Sequence, residues 1–491
     1  MSFLGIDVGT SRTKAVAYSD DFRPVAESSL AYQRLCPQRG WYELDAAALQ
    51  DAVRHVVRQC AVQCKQDPIQ YLACSVFGGG ITALARDLRP LAHVISTTDQ
   101  RALEESGDWC RRFGAERTYQ ITGTTTSPSL MLPKVLWLMH HLPQVADVAL
   151  YVTAAELVQA ALGVRPKMDL ATASTTMLLD IEARSWSDEI LAAAAIPVEQ
   201  LPGLVEPGMP IDSLPDSVCG ELGLARGCAL VGGGHDQQVC ALGAGLMEPG
   251  AATDSLGTVE CITTLFGRPL LRPDLLRHNF SNLLHVVGNQ VATLAYNFSA
   301  GDLFAWLCDN LSIGRDGFEA MFAQMSPAPA SVLALPHFAG SGTPHLDALS
   351  KGLFVGLTLQ TSGAEMVRAV VDGQNYEMRQ NLDIWRRNGI SLDRLRAYGR
   401  GATVDALLQI KADILQVVVE RLNVVETGCL GAALLAAVGS SRSFSVAEVL
   451  AQRVRVERAF EPSSTFADEY ANAYGRYQEL YPRMQELLHR L

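Results

Sequence analysis

Apolar positions along this chain switch between two periods, and the switches mark its elements. Phe3-Leu4-Gly5-Ile6 is an apolar strand that runs into a polar turn, and residues 1–35 read as a hairpin with a third strand closing near Ala31-Tyr32. Trp41-Tyr42-Glu43-Leu44-Asp45 then leads into a helix with apolar positions at Leu49, Val53, Val56 and Val57. A strand at 69–76 breaks at Phe77-Gly78-Gly79-Gly80, resumes at 82–85 and ends in the turn Asp87-Leu88-Arg89-Pro90. Helical spacing follows over 132–142, a strand over 149–153 and a helix over 156–162. Ala229-Leu230-Val231 is a short buried strand before Gly232-Gly233-Gly234-His235-Asp236, and the next helix carries the boundary between two halves near Leu242-Gly243-Ala244-Gly245. The second half repeats the plan: strands around 250–264 and 284–295, a helix from Asp302, a long helix at 363–387 and a strand at 394–397. The last helix carries Tyr470, Tyr474, Tyr477, Tyr481 and Met484 on one side, which predicts a core-packing stripe. Strands alternating with helices predict an α/β fold for both halves.

Two aspartate–glycine–hydroxyl turns open the two halves. The first is Asp7-Val8-Gly9-Thr10-Ser11-Arg12-Thr13-Lys14, and the second is Asp254-Ser255-Leu256-Gly257-Thr258. A strand, tight glycine turn, hydroxyl and second strand form a hairpin whose backbone N–H groups and hydroxyls can wrap a polyphosphate. Two such turns, about 250 residues apart in the numbering, predict two related domains holding one nucleotide from opposite sides.

With 491 residues, 48% hydrophobic and 19% charged, the chain is globular and long enough for two large domains. A net charge of -12 argues against nucleic acid or an anionic membrane as partner, since neither would be attracted. A phosphate site must then draw its positive potential from backbone amides, Lys14 and a metal ion. Eleven cysteines are scattered without a CxxC pair, and Cys60 and Cys64, four apart on a helix, have no second pair. They read as buried reduced thiols and not as a metal site. Met-Ser leads straight into a strand, which predicts no signal peptide, and no apolar run reaches the roughly 18 residues of a membrane helix. A cytoplasmic protein is expected.

At Gly352-Leu353-Phe354-Val355-Gly356-Leu357, followed after seven residues by Glu365-Met366-Val367-Arg368-Ala369-Val370-Val371-Asp372, the chain resembles the FGGY carbohydrate kinases along its whole length. Pro336-His337-Phe338-Ala339-Gly340-Ser341-Gly342-Thr343-Pro344-His345 is similar to that family's approach to this signature. Lys134, Val135, Trp137 and Leu138 fit its first signature, whereas Met131 stands where Pro, Ser or Thr is usual. The resemblance implies two ribonuclease-H-like domains of the actin–hexokinase type with an interdomain cleft. Residues 1–240 would carry the sugar, phosphate hairpin and catalytic Asp, and 241–491 the nucleotide. It admits a homodimer and implies ATP and Mg²⁺ as co-substrate and cofactor.

Phosphoryl transfer needs positioning, charge neutralisation and a base for the attacking hydroxyl. Asp236 lies at the carboxyl end of a buried strand, where α/β folds collect ligands, after glycines that let backbone and substrate approach closely. On the residues alone it reads as a base or as the cap of a helix starting near Gln237. The family's catalytic Asp stands at the matching place, which implies the base and a share in the metal site. Asp7 is expected to orient Mg²⁺ through water, or else to stabilise its turn. Thr10, Ser11, Thr13 and Lys14, with Gly257 and Thr258 from the other side, are expected on phosphate. Gly399, Gly401 and Ala402 match the family's Gly-Gly-Gly-Ala string with Arg400 departing, and Gly301 resembles a further nucleotide position; Gly431-Ala432-Ala433 reads as close helix packing.

The sugar pocket departs from the well-known members. Xylulose kinases place Met-His, and glycerol kinases Arg-Glu, where this chain aligns Gly80-Ile81; both carry Trp where it has Thr97. His235-Asp236-Gln237-Gln238 echoes the glycerol-kinase string with His in place of Gly. Gly80, Ile81, Thr97, Asp236 and Gln237 are therefore the expected substrate contacts, in a pocket reshaped for a ketose or polyol. The expected activity is ATP-dependent phosphorylation of a terminal hydroxyl. Its rivals are a glycerol kinase proper and a non-catalytic nucleotide or sugar sensor on the same fold.

Overall fold

The computed structural model describes residues 2–311, 321–322, 325–440 and 444–491. Two sheets of seven strands dominate it, and six strands of each repeat one plan. In the first, Pro24–Ala31, Arg12–Tyr18 and Ser2–Val8 form an antiparallel meander; Ile69–Val76 and Ala229–Val231 continue parallel to Ser2–Val8, and Pro210–Ser213 closes antiparallel. In the second, Val291–Asn297, Glu260–Phe266 and Ala251–Leu256 form the meander; Arg394–Tyr398 and Val418–Leu422 run parallel, and Val456–Phe460 closes antiparallel. The closing strand precedes its neighbour in the chain in the first sheet and follows it in the second. A five-stranded sheet of short strands, including Ile81–Leu84 and Val94–Ile95, is attached to the first half.

Alternation along the first strand sets the layers. Leu4, Ile6 and Val8 face helix Ala46–Gln63, whose Leu49, Val53, Val56 and Val57 are fully buried, as their spacing predicts. Phe3, Gly5 and Asp7 face the opposite helix, Thr427–Val438, which comes from the second half of the chain. That helix lies so close that a Cβ on Gly5 would overlap the Cys429 carbonyl, and one on Gly431 would overlap the Val239 carbonyl. The tyrosine stripe of helix Ala467–Leu488 is buried against helix Gly363–Arg387 and its neighbours, with phenol oxygens bonded to Glu377, Asp383 and Asp347. Among the described residues no two cysteines form a disulfide. Among the described residues no helix is long and apolar enough to cross a membrane.

Candidate active site

The first hairpin divides its predicted ligands between two faces. Asp7 pairs in register with Lys14 and, on the other side, with Ser75, so these three share the face turned to helix Thr427–Val438. Ser75 donates to Asp7 at 2.6 Å. Burial pushes the Asp7 carboxyl up to about 6; the Ser75 hydroxyl opposes this, while Asp236 and Glu426 add to it. Gly428, in the first turn of that helix, stands so close that a Cβ would lie 2.7 Å from the Asp7 carboxyl carbon, placing the carboxylate at a helix N-terminus. Lys14 is held by Glu426 at 2.8 Å and Glu27 at 3.6 Å. Thr10 and Ser11 are exposed at the tip. Thr13 pairs with Val8 on the opposite face, is fully buried and lies 3.3 Å from the Tyr32 hydroxyl, so it does not reach the open side of the turn as expected.

Asp236 opens helix Asp236–Gly243, with His235 as its N-cap; it is not itself the cap. The short strand Gly234–His235 pairs with Ser75 and Val76, which brings Asp236 beside Asp7. The preceding glycines serve protein packing and not substrate approach. A Cβ on Gly233 would overlap the Cys74 carbonyl, and one on Gly232 would sit 2.9 Å from the Glu206 carbonyl. The Asp236 side chain is 25% exposed. Burial raises its carboxyl, with His235 and Gln237 opposing. Its charge also bears on Cys261 and Tyr398 of the second sheet, both pushed up chiefly by burial. The first half's carboxylates therefore face the strand ends that lead to the second half's turns.

Around those ends the predicted nucleotide positions converge. Gly257 and Thr258 are exposed, and their carbonyls accept from Gly301 and Ala300 at 3.2 Å. Gly399 takes the left-handed φ of +91°, where a Cβ would press on the Leu256 carbonyl at 2.8 Å; Gly401 lies as close to the Leu256 side chain. Ala402 is buried in the apolar core and does not line the opening. Beneath this turn Asp254 is fully buried in an ion pair with Lys411 at 2.8 Å, and Lys411 also holds Glu260.

The substrate side needs correction. Ile81 is fully buried and paired with Ile95 and Thr153, and Gly80 is buried against Phe77, so neither reaches the cleft. In the turn just before them Gly78 is half-buried and Gly79 buried: the Thr97 hydroxyl donates to the Gly78 carbonyl, and the His235 ring lies against Gly78. Gln237, next to Asp236, has a buried carbonyl oxygen without a partner. Lys134, fully buried, ties the region together by donating to the carbonyls of Gly79 at 2.6 Å and of Ser96 and Ser129 at 2.8 Å. Ser75 and Glu426 escaped the sequence reading; a lone serine in the apolar strand 69–76, one turn from Gly78, was the available signal for the first.

A cavity of about 620 Å³ lies at the opposite end of the second sheet, lined by Gly245, Met247, Arg394, Arg396 and Leu450 among others. None of the expected site residues borders it, and it lies away from the carboxyl ends of the parallel strands, where ligands of such sheets gather.

Two mixed sheets of one topology, meeting where carboxylates face glycine turns, define a two-domain fold of the actin and hexokinase class. The chain belongs to the FGGY family of carbohydrate kinases, whose N-terminal domain model matches residues 2–243 and whose C-terminal domain model matches residues 252–440; it is a sugar kinase. It is 26% identical to the xylulose kinase of Bacillus subtilis, over 99% of this chain and 97% of that one. It is 28% identical to the glycerol kinase of Solidesulfovibrio magneticus, over 95% of each. The ligand-bound xylulose kinase of Lactobacillus acidophilus superposes with a TM-score of 0.91 at 23% identity, covering 99% of this chain and 98% of that one. Plasmodium falciparum glycerol kinase with ADP gives 0.88 at 19% identity and 97% coverage of both.

Proposed function

We propose that this kinase transfers the terminal phosphoryl group of ATP to a terminal hydroxyl of a ketose or polyol, with Asp236 as general base. The reading rests on one observation above the rest: Asp236 and Asp7 stand together, facing the strand ends that carry the Gly257 and Gly399 turns. Residues 1–240 supply the sugar side in this reading and 241–491 the nucleotide side.

Asp236 accepts the hydroxyl proton, and its burial raises its affinity for that proton. Thr10 and Ser11, exposed at one turn, and Gly257 and Thr258, exposed at the other, hold phosphate oxygens from both sides. Lys14 exchanges Glu426 for phosphate when nucleotide arrives. Gly301, Gly399 and Gly401 let the second half's turns pack closely on Gly257 and Leu256, and those turns carry the nucleoside in this reading. Asp7 and Asp236 are the residues that would hold Mg²⁺ through water. They suit it because Asp7, Asp236 and Glu426 leave an excess of negative charge that raises Asp7, and the ion would supply neutralisation of phosphate charge. Among the described residues no cluster of three ligating side chains exists, which suits an ion carried largely by water and phosphate. Thr97, Gln237 and Gly78, all half-buried, border the sugar in this reading, and closure over it excludes water as a competing acceptor.

A panel of pentuloses, hexuloses, tetritols, pentitols and glycerol, assayed for ATP consumption, tests the reading. Sugar-dependent ADP release with one or a few members is the expected result. ADP release that no member of the panel stimulates would contradict it.

A further inference from the structure

Asp236 does not stand alone at the cleft. Its Oδ1 lies 3.3 Å from Nε2 of His235, whose side chain is only 12% exposed. The other ring nitrogen, Nδ1, is hydrogen-bonded to Oε1 of Gln238, which is fully buried. The Gln238 amide is oriented in turn by its Nε2, which donates to the Leu284 carbonyl at 3.4 Å. Oε1 is then the acceptor and Nδ1 the donor, so the ring plane is held from behind. Leu284 belongs to the edge strand Leu283–Leu284 of the second sheet, and its own N–H donates to Ser174 of the first half at 3.0 Å. The brace is thus anchored where the two halves meet.

The ring has a seat of its own. Its Nε2–Cδ2 edge lies against Gly78, where any side chain would overlap it. The carboxyl of Asp169 also bears on the ring, but is occupied by the Thr172 N–H at 2.8 Å and hydroxyl at 2.7 Å. Asp236 is left as the carboxylate beside Nε2, and because Nδ1 already donates to Gln238, Nε2 donates to Asp236 when the ring carries both protons.

We propose that His235 is a positioning residue for the phosphoryl transfer: braced by Gln238 and seated on Gly78, its imidazole sets the rotamer of the Asp236 carboxylate toward the sugar hydroxyl. A base misplaced by about 1 Å loses on the order of 10²-fold in rate, so a brace of this kind acts on the chemical step and not on ground-state binding. The inference rests on the proposed role of Asp236.

The test is steady-state kinetics on the intact chain with the best acceptor from the panel. His235→Ala is expected to lower kcat at least 30-fold while the KM values for ATP and sugar stay within about threefold. Gly78→Ala, which keeps the imidazole but unseats it, is expected to reproduce most of that loss. The double variant is expected to be no worse than His235→Ala alone, because the added methyl has then nothing to displace. ADP-dependent thermal shifts establish that each variant is folded. Unchanged kcat in His235→Ala, a rise in sugar KM alone, or additive losses in the double variant would each overturn the proposal. If His235→Ala does not fold, Gly78→Ala with unchanged kcat overturns it. A wild type that consumes no ATP with any acceptor would instead overturn the kinase assignment to these sugars, and the two failures are distinguishable.

Discussion

Asp7 and Asp254 lie on matching strands of two copies of one topology, but one register step apart and so on opposite faces, and the protein uses them in opposite ways. Each lies on the first strand of its meander, just before a glycine turn. Asp7 meets a serine hydroxyl, a helix N-terminus and a second carboxylate across the opening. Asp254 meets Lys411, which also takes Glu260, and Asn297 donates to Glu260 at 3.2 Å. The first carboxylate is left with negative charge to neutralise, and the second has been neutralised from within. Ser255, between Cys261 and Tyr398, stands where Asp7 stands between Lys14 and Ser75, so the second hairpin carries a hydroxyl and no carboxylate on that face. Asp254, on the opposite face, clamps the second hairpin to helix Asp405–Leu415 through Lys411.

The largest effect that would break this contrast is on the clamp. Lys411→Met leaves two buried carboxylates uncompensated and is expected to lower unfolding free energy by about 3–5 kcal/mol, read by urea denaturation. Asp7→Asn is expected to cost activity instead, about 10–100-fold in kcat/KM for Mg·ATP, with little loss of stability. Strong destabilisation by the second and none by the first would reverse the assignment.

A pH series sharpens the comparison. The folded Asp7 carboxyl keeps its proton to about pH 6, and in the unfolded chain it releases it near the ordinary value of about 3.9. The folded state then binds more protons between those values, so this group's contribution to stability declines as pH rises from about 4 to 6 and is level above. Asp7→Asn is expected to remove that part of the slope in denaturation curves taken without nucleotide; an unchanged slope would place the carboxyl back in its usual range. The smallest effect belongs to the partly exposed Lys14–Glu426 pair. Glu426→Gln is expected to change stability by about 0.2–1 kcal/mol while tightening nucleotide binding, measured by calorimetry, because Lys14 is released for phosphate.

The meander strands, the long helices and the candidate base were legible in the chain, because periodicity and glycine turns are local signals; the strands Pro210–Ser213, Val418–Leu422 and Val456–Phe460 were not read. What was not legible depended on which face a residue occupies. Thr13 and Lys14 are neighbours in a strand, so only one can face the phosphate, and alternation from the buried Ile6 and Val8 already assigns Thr13 to the core side. Gly80 and Ile81 were misread: the glycine run spans the half-buried Gly78 and the start of a buried strand, and composition does not separate them. The glycines before Asp236 answer to the Cys74 and Glu206 carbonyls, contacts made by segments distant in sequence. Ser75, Glu426 and Lys411 act through partners about 70 to 410 residues away, which no local pattern reports.

The central claim is that the carboxylate of Asp236 removes the acceptor's proton. Asp236→Asn is nearly isosteric and is expected to lower kcat by about 10²–10⁴ with the best acceptor while ATP binding by calorimetry stays within a few-fold of wild type. Turnover in that variant equal to the wild type, with nucleotide still bound, would contradict the account.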